Sequence, residues 1–198
     1  AVTLKNNGKK QKKLTLSSFV EWCLWNAQDD TTNFQRNFST GEVEVLGSTI
    51  YHRAEYRERR NHYAFFSVNV PINGFDTDRE TFLGLNNGVD QPKVVLSGKP
   101  QNSVADGWSP IASHSIKVEL TPGESKSFVF VLGYIENDEA DKWATKQEKG
   151  LLRTNPKLKA INKTKAIELQ KRFSSMAKVN KAMKELRVFW DNQLANFS

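Results

Sequence analysis

The stretch that decides the fold is Ile111-Ala-Ser-His-Ser-Ile-Lys-Val-Glu-Leu120, followed by Thr121-Pro-Gly-Glu124 and then by Ser127-Phe-Val-Phe-Val-Leu-Gly-Tyr-Ile135. Apolar and polar residues alternate in the first segment, which is the pattern of a strand with one buried face. The last segment is rich in β-branched and aromatic residues, which favour strands. Pro122-Gly123 between them is a hairpin signal. We therefore predict two antiparallel strands joined by a tight turn.

The same kind of pattern extends back to the beginning of the chain. Glycine, proline and asparagine residues separate a series of short β-prone runs, and no helix–strand alternation interrupts the series. The runs lie at 2–5, 14–24, 42–45, 48–52 and 63–70. They predict a mainly β fold, most simply a large antiparallel β-sandwich, for residues 1–136.

Residues 137–198 have a different composition, which favours helices. Apolar residues recur here at spacings of three and four, as on one face of an amphipathic helix. They are Leu169, Phe173, Met176, Val179, Met183, Leu186, Trp190, Leu194 and Phe197. Ser174-Ser175 offers an N-cap within the series, so we predict two helices, near 163–173 and 176–196. The apolar face suits docking on another domain better than a coiled coil, because the series is short and lacks ordered charge pairs.

The formal net charge of +7 is concentrated in this helical part. Residues 138–198 hold 14 of the 29 Lys and Arg residues but seven of the 22 Asp and Glu residues. A basic face on an amphipathic helix is usually solvated, and the sequence has none of the common nucleic-acid-binding motifs. No apolar run approaches the roughly 18 residues that a membrane span needs. We expect neither a nucleic acid nor a membrane as partner.

The chain has one cysteine, Cys23, so it cannot form an internal disulfide. This fits the reducing cytoplasm, where we expect the protein to be. No nucleophile signature surrounds Cys23, and we place its side chain in the core. The chain begins at Ala1 with β-prone residues and without a signal h-region, so we expect it to be part of a longer protein.

A polar cluster, Asn33-Phe-Gln-Arg-Asn37, follows the aromatic strand that contains Trp22 and Trp25. Amides both donate and accept hydrogen bonds, Arg offers a fixed donor fork, and an aromatic face can lie against the C–H side of a sugar ring. The cluster therefore suits a polyhydroxylated ligand. A connector whose polar groups cap the neighbouring strands has the same composition and is the commoner use of such residues. The five residues alone leave both interpretations open.

The sequence also contains an Asp-x-Asp pair, in Gly74-Phe-Asp-Thr-Asp-Arg-Glu80. Such a pair holds a divalent metal in nucleotide-sugar glycosyltransferases, but those enzymes need a mixed α/β domain that this pattern does not predict. We expect Asp76 and Asp78 to pair with Arg or to cap backbone amides. The three histidines, His52, His62 and His114, are too far apart in sequence to make a local metal pair, and we expect ordinary hydrogen-bonded histidines. We predict no metal site and no cofactor.

Long motifs run through the β part. They are 19–25, Thr32-Asn-Phe-Gln-Arg-Asn-Phe-Ser-Thr-Gly-Glu-Val-Glu44, Glu55-Tyr-Arg-Glu-Arg-Arg-Asn-His-Tyr-Ala-Phe-Phe66, 74–80, Asn102-Ser-Val-Ala-Asp-Gly-Trp108 and the strand up to Tyr134. In these motifs the chain resembles the N-terminal part of the cellobiose phosphorylase family of inverting glycoside phosphorylases, which also act on cellodextrins, chitobiose and laminaribiose. The motifs are specific to the family rather than to the fold.

The resemblance implies a super-sandwich followed by a helical linker and then by a catalytic (α/α)6 barrel, which is absent from the 198 residues. The family's barrel carries the general-acid Asp and the groups that bind phosphate, so we expect no catalytic residue in this chain. In ordinary inverting hydrolysis a second carboxylate activates water. In a phosphorylase, inorganic phosphate is the nucleophile, and cellobiose is converted to α-glucose 1-phosphate and glucose.

The resemblance also implies a homodimer in which the N-terminal domain of one subunit reaches the active site of the other. The matching positions are Asn33, Phe34, Gln35 and Arg36, and by resemblance Gln35 and Arg36 would hydrogen-bond the acceptor sugar. Their contribution would be positioning, since fixed donors orient the leaving glucose toward the acid. The alternative function is a stand-alone β-sandwich that binds carbohydrate or protein without catalysis.

Overall fold

The computed structural model describes residues 1–22, 41–54, 61–107 and 109–195. As the sequence predicts, the described chain is mainly β, and its strand pairs are antiparallel. The strands are β1 (Val2–Lys5), β2 (Lys12–Ser17), β3 (Val20–Glu21), β4 (Gly41–Leu46), β5 (Thr49–Ala54), β6 (His62–Val68), β7 (Gly74–Asp78), β8 (Pro110–Leu120), β9 (Ser125–Phe128), β10 (Phe130–Glu136) and β11 (Leu152–Arg153).

The strands form a sandwich. One sheet has the order β10-β6-β5-β4-β11, while β8 pairs with β2, β3 and β7 in the opposing layer, and β1 pairs with β9. Apolar side chains from both layers meet between them. This inner core consists of Trp22, Val43, Val45, Ile50, Ala64, Phe66, Phe75, Ala105 and Ala112. Burial between two layers is the reason that the sequence alternates in β4 and β8.

The five-stranded sheet is covered on both faces. In β6, Ala64 and Phe66 face the inner core, while Tyr63 and Phe65 pack on the other face against the segment that follows β10. All seven residues of β6 are buried. A strand that is buried on both faces has a continuous apolar sequence instead of an alternating one. The residues that follow His62 in β6 show this continuous pattern.

The turn predicted at Thr121–Glu124 is present, but the prediction that it joins two paired strands as a hairpin is wrong. The Glu124 amide donates to the Thr121 carbonyl at 3.1 Å, and Gly123 has a φ of 78°. However, β8 pairs with β2, whereas β9 pairs with β1. The turn therefore carries the chain from one strand pair to another. The residues of the turn determine where the chain reverses its direction. The strands on either side of the turn pair with β2 and β1, which lie near the N-terminus.

Four helices lie in the described chain: α1 (Arg79–Leu83), α2 (Lys93–Ser97), α3 (Thr164–Arg172) and α4 (Met176–Ala195). The last two confirm the helices predicted from the apolar spacing. The Ser175 hydroxyl accepts a hydrogen bond from the Lys178 amide at 3.3 Å, which confirms the predicted N-cap. Helix α3 packs on the outer face of the five-stranded sheet through Ala166 and Leu169.

Helix α4 leaves its apolar face uncovered within the described residues. None of its residues is buried, and Leu186 and Trp190 are 49% and 54% exposed. Docking of this face on another domain stays a prediction. No helix of the described chain is both long enough and apolar enough to cross a membrane.

A buried ion cluster fixes the segment before α3 to the sheet. The Lys163 ammonium lies 2.6 Å from Glu44 of β4 and 2.6 Å from Glu148, and its side chain is fully buried. The Ile161 amide donates to the other Glu44 oxygen at 2.9 Å. Lys163 is thus an exception to the expectation that the charges of the basic tail are solvated.

Candidate functional site

The predicted sugar-contacting residues Asn33, Phe34, Gln35 and Arg36 lie outside the described residues, as does Cys23. Their roles stay predictions. The described chain resumes at Gly41, the first residue of β4, where a side chain would collide with the His52 ring and the Arg53 carbonyl. Glycine is therefore required at the point where this part of the chain joins the sheet.

A cavity of about 650 Å³ opens beside Gly41, at the end of the β4–β5 pair. We call it the Trp143 cavity. It is lined by Gly41, Glu42, Arg53, Asp106, Gly107, Trp143, Thr154, Asn155, Leu158 and Lys159. The lining thus combines the sheet, the loop before β8 and the segment between β10 and α3. Gly41, the first described residue after position 22, is part of this lining.

Two strand residues form the charged wall of the cavity. The Arg53 guanidinium donates to Glu42 Oε2 at 2.5 Å, and both side chains are 7% exposed. Burial raises the pKa of the Glu42 carboxyl, and the Arg53 charge opposes that shift. The other carboxylate oxygen, Oε1, is buried and has no hydrogen-bond partner among the described residues. The ion pair therefore lies behind the surface of the cavity, where water does not reach that oxygen.

Trp143 forms the aromatic wall. Its ring centroid lies 4.8 Å from the Arg53 guanidinium carbon and 4.5 Å from the Lys142 ammonium. A β-bridge from Trp143 to Ile161 and a hydrogen bond from the Ala144 amide to the Ala160 carbonyl at 2.9 Å hold this segment. The tryptophan is therefore fixed by backbone pairing and by cations near its ring.

Residues after β11 complete the wall. β11 pairs with β4, which places Thr154 next to the sheet edge. The Thr154 hydroxyl is buried and has no hydrogen-bond partner in the part of the chain that the structure describes. Arg153 donates to the carbonyls of Leu158 and Pro156, the latter at 2.8 Å, and so holds the following turn. In that turn the Leu158 amide donates to the Asn155 carbonyl at 3.2 Å.

This arrangement suits binding rather than catalysis. Its described lining offers the aromatic side chain of Trp143 and the polar side chains of Asp106, Asn155 and Lys159. Among the residues that the structure describes, no group of three His, Cys, Asp or Glu side chains could hold a metal ion. This cavity could not be predicted from local sequence patterns, because Glu42 alternates with apolar residues as a solvent-facing residue would, and Trp143 lies about 90 positions away from Arg53.

The Asp-x-Asp pair is structural, as the sequence analysis expects. The Asp76 carboxylate is 1% exposed and accepts hydrogen bonds from the Ser103 hydroxyl at 2.7 Å, the Ser103 amide at 3.2 Å and the Gln101 amide at 3.1 Å. Burial raises the pKa of Asp76, and the Ser103 hydroxyl opposes that shift. Asp78 caps α1 by accepting from the Thr81 amide at 2.6 Å. Both carboxylates thus accept hydrogen bonds from backbone amides.

Comparison with known proteins identifies the class. Residues 1–175 match the family model described as "Glycosyl hydrolase 94, supersandwich domain". The chain therefore belongs to this family, and its mainly β architecture is that of the supersandwich domain. The predicted phosphorylase family is confirmed at this level.

The relatives are remote and much longer than this chain. It is 22% identical over 197 residues to the N,N'-diacetylchitobiose phosphorylase of Vibrio proteolyticus, covering 99% of the chain and 21% of that protein. It is 22% identical over 148 residues to the solabiose phosphorylase of Paenibacillus borealis, covering 74% and 19%. It is 25% identical over 139 residues to the cyclic β-(1,2)-glucan synthase NdvB of Rhizobium meliloti (strain 1021), covering 70% and 5%. The chain spans about a fifth of the length of the phosphorylases.

Proposed function

We propose that this chain is the N-terminal supersandwich part of an inverting glycoside phosphorylase that cleaves cellobiose with inorganic phosphate to α-glucose 1-phosphate and glucose. The observation that carries the proposal is the match of residues 1–175 to the supersandwich family model. The two phosphorylases among the relatives support this reaction type. Cellobiose itself rests on the resemblance of the motifs described above.

In this proposal the chain contributes substrate positioning, and the general acid comes from an (α/α)6 domain outside the 198 residues. Phosphate is a co-substrate that acts as the nucleophile, so no metal or organic cofactor is required. Asn33, Phe34, Gln35 and Arg36 bind the acceptor glucose, across the interface of a homodimer in the cytoplasm. Their contribution is to orient the leaving glucose toward the acid.

The test is phosphorolysis by the full-length protein. Release of glucose 1-phosphate is measured with cellobiose, chitobiose, solabiose and laminaribiose, each with and without inorganic phosphate. We expect phosphate-dependent release, with cellobiose as the best substrate. Equal release without phosphate would show a hydrolase, and a preference for another disaccharide would remove the cellobiose assignment while keeping the reaction type.

The loop is tested by Arg36→Ala in the direction of synthesis, with glucose as acceptor. Loss of charge-assisted hydrogen bonds worth about 1.5–3 kcal/mol corresponds to an acceptor KM about 10- to 150-fold higher. Arg187→Ala is the matched control, since the Arg187 side chain is 84% exposed on α4. An unchanged acceptor KM in a folded Arg36→Ala protein would refute the loop assignment.

The second candidate function is a carbohydrate-binding sandwich without catalysis. The Trp143 cavity favours it, because its described lining includes an aromatic side chain beside acidic, basic and amide side chains, a combination that suits a sugar. Reading the coding sequence beyond Ser198 separates the two: several hundred further codons support the phosphorylase, and a stop codon supports the binding module.

A further inference from the structure

We propose that Asn87 is a site of spontaneous deamidation, at which the neighbouring Gly88 amide nitrogen attacks the asparagine side chain. This modification of the chain itself goes beyond the proposed phosphorylase function and does not depend on it. The sequence has three Asn-Gly pairs, at 7–8, 73–74 and 87–88. Glycine has no Cβ to hinder the approach of its own amide nitrogen, so Asn-Gly is the most reactive pair for this chemistry. The structure separates the three pairs by what each must break before it can react.

The reaction exchanges one bond to the asparagine Cγ for another. The glycine nitrogen loses its proton to solvent and bonds to Cγ, while the bond from Cγ to Nδ2 breaks and Nδ2 leaves as ammonia after taking up a proton. The product is a cyclic succinimide. Water then adds to either of its carbonyls and opens the ring to aspartate or isoaspartate. The main chain must therefore be free to turn toward Cγ, and the glycine N–H must be free of strong hydrogen bonds.

The Asn87–Gly88 pair meets both conditions. It lies in the loop between α1 and α2, where all residues from 85 to 91 are exposed. Throughout this loop, which is fully described, the Gly88 amide donates no hydrogen bond. The Asn87 amide donates to the Gly84 carbonyl at 3.4 Å, and the Gln91 amide donates to the Gly88 carbonyl at 3.2 Å. Long, exposed bonds of this kind open readily, so the loop can reach the reactive geometry.

One hydrogen bond opposes the reaction at this pair. Asn87 Nδ2 donates to the Gln91 carbonyl at 2.8 Å, and this bond is lost when Nδ2 leaves. The bond is exposed, so water replaces it and its net contribution is small. We expect it to slow the reaction by no more than about tenfold.

The Asn7–Gly8 pair is equally exposed, but its attacking nitrogen is engaged. The Gly8 amide donates to Asn6 Oδ1 at 3.0 Å. Asn6 is 4% exposed, and its Nδ2 donates to the carbonyls of Lys10 at 2.9 Å and Leu120 at 3.0 Å. Because the acceptor is buried and held by two further bonds, water does not easily take its place. We expect this pair to react more slowly than Asn87.

The Asn73–Gly74 pair is held by the sheet. Gly74 is the first residue of β7, is buried, and lies opposite Ser115 of β8. The Asn73 amide donates to the Ser115 carbonyl at 2.8 Å, and Asn73 Oδ1 accepts from the Lys117 amide at 2.7 Å. The main chain cannot turn toward Cγ unless this strand pair opens. Paired strands of a core open far less often than exposed loops, so this pair should be the slowest of the three.

Modification at Asn87 would change one wall of a second cavity. Val89, Asp90 and Pro92 line a cavity of about 330 Å³ together with Phe19 and Phe82. Aspartate adds a negative charge two residues before Pro92 and beside Asp90, and isoaspartate also lengthens the main chain by a methylene group. The loop is exposed, so we expect the charge and shape of this wall to change while the core stays intact.

The test is peptide mapping by mass spectrometry of the chain, incubated in mildly alkaline buffer with and without urea. Trypsin places the three pairs on different peptides, which are 6–9, 61–79 and 80–93. In the folded chain we expect aspartate and isoaspartate to accumulate fastest at Asn87, and at least about tenfold faster than at Asn73. In urea the three rates should converge. A folded chain in which Asn87 is not the fastest site, or the same order and ratios in urea, would overturn the proposal.

Variants identify the attacking group and the protecting bond. Gly88→Ala should slow the reaction at Asn87 at least about tenfold; its Cβ would lie 2.5 Å from Asp90 Oδ1, at the end of an exposed side chain that can move. Gly8→Ala is the matched control and should leave the Asn87 rate unchanged. Asn6→Ala should raise the rate at Asn7, and an unchanged Asn73 rate in the same sample shows that the sheet stays closed. Wild-type reactivity of Asn87 in Gly88→Ala would overturn the proposal.

Discussion

Replacement of Lys163 by methionine should be among the most destabilising single substitutions in this domain. The Lys163 side chain is fully buried, 2.6 Å from Glu44 and 2.6 Å from Glu148, and its ammonium also donates to the Ile161 carbonyl at 3.1 Å. Methionine has a similar length and removes the charge. Because the Glu44 side chain is only 1% exposed, the variant would keep a buried carboxylate without its counter-ion.

Breaking a buried ion pair by removing one partner costs about 3–5 kcal/mol. Most of that cost should come from Glu44, because the Glu148 side chain is 24% exposed and can be rehydrated. A domain of this kind has a total stability of about 5–15 kcal/mol. We therefore expect Lys163→Met to lose about a fifth or more of the free energy of unfolding.

The assay is urea unfolding followed by tryptophan fluorescence, with the free energy obtained by linear extrapolation. Lys165→Met, two residues further on, is the matched control. Its ammonium lies 3.8 Å from Asp138, and the two side chains are 49% and 82% exposed, so this change should cost about 0–1 kcal/mol. The double variant Lys163→Met/Glu44→Gln should recover part of the loss, since no unpaired charge remains buried. Equal losses in the two lysine variants would refute the reasoning.

Three further predictions concern buried polar groups and metal binding. Burial lowers the pKa of His52 to about 3 and that of His114 to about 4, from an ordinary value of 6.5. Both histidines therefore stay neutral in the folded chain, whereas in the unfolded chain they take up a proton below pH 6.5. Their contribution to the free energy of unfolding is complete above pH 6.5 and is lost as the pH falls toward the folded pKa. The loss is about 1.4 kcal/mol per pH unit, so the free energy of unfolding measured in urea should be about 2 kcal/mol lower at pH 5 than at pH 7 for each histidine. A free energy of unfolding that is the same at both pH values would contradict these pKa values. Asp76→Ala should lose about 2–4 kcal/mol in the same assay, because the Gln101 and Ser103 amides lose their buried acceptor. Manganese should not raise the thermal midpoint of the wild-type chain, and a metal-dependent rise would restore the glycosyltransferase hypothesis.

The sequence predicted those features that depend on local patterns. The alternation in 111–120 identified β8, because the period of two follows directly from a strand with one buried face. The spacing of apolar residues and Ser174-Ser175 gave the two C-terminal helices within two residues, because caps and helical periodicity are properties of neighbouring residues. The capping role of Asp78 was predictable for the same reason, because a short acidic side chain just before a helix can accept hydrogen bonds from the free amides of the first helical turn.

Histidines show the limit of such local reasoning. Ordinary hydrogen bonding was expected for all three. His62 bonds to the Tyr134 hydroxyl at 2.9 Å, and His114 bonds to the Ser18 hydroxyl at 2.9 Å, which confirms the expectation for these two. His52 instead stacks on Trp22, with ring centroids 5.7 Å apart, and its Nδ1 has no hydrogen-bond partner among residues 1–22, 41–54, 61–107 and 109–195. Which histidine meets an aromatic ring depends on strand pairing, and strand pairing cannot be deduced from the neighbours of each histidine.

The acidic residues of β4 show why the Trp143 cavity could not be predicted. In Glu42-Val-Glu-Val45 the glutamates occupy the polar positions of an alternating strand, and such positions are normally solvated. Here Arg53 pairs with Glu42, while Lys163 and the Ile161 amide, 117 positions along the chain, cover Glu44. The same covering segment brings Trp143 and Thr154 to the cavity. The burial of these carboxylates and the formation of the cavity therefore have one cause, which is the return of the chain across the outer face of β4 after the sandwich is complete.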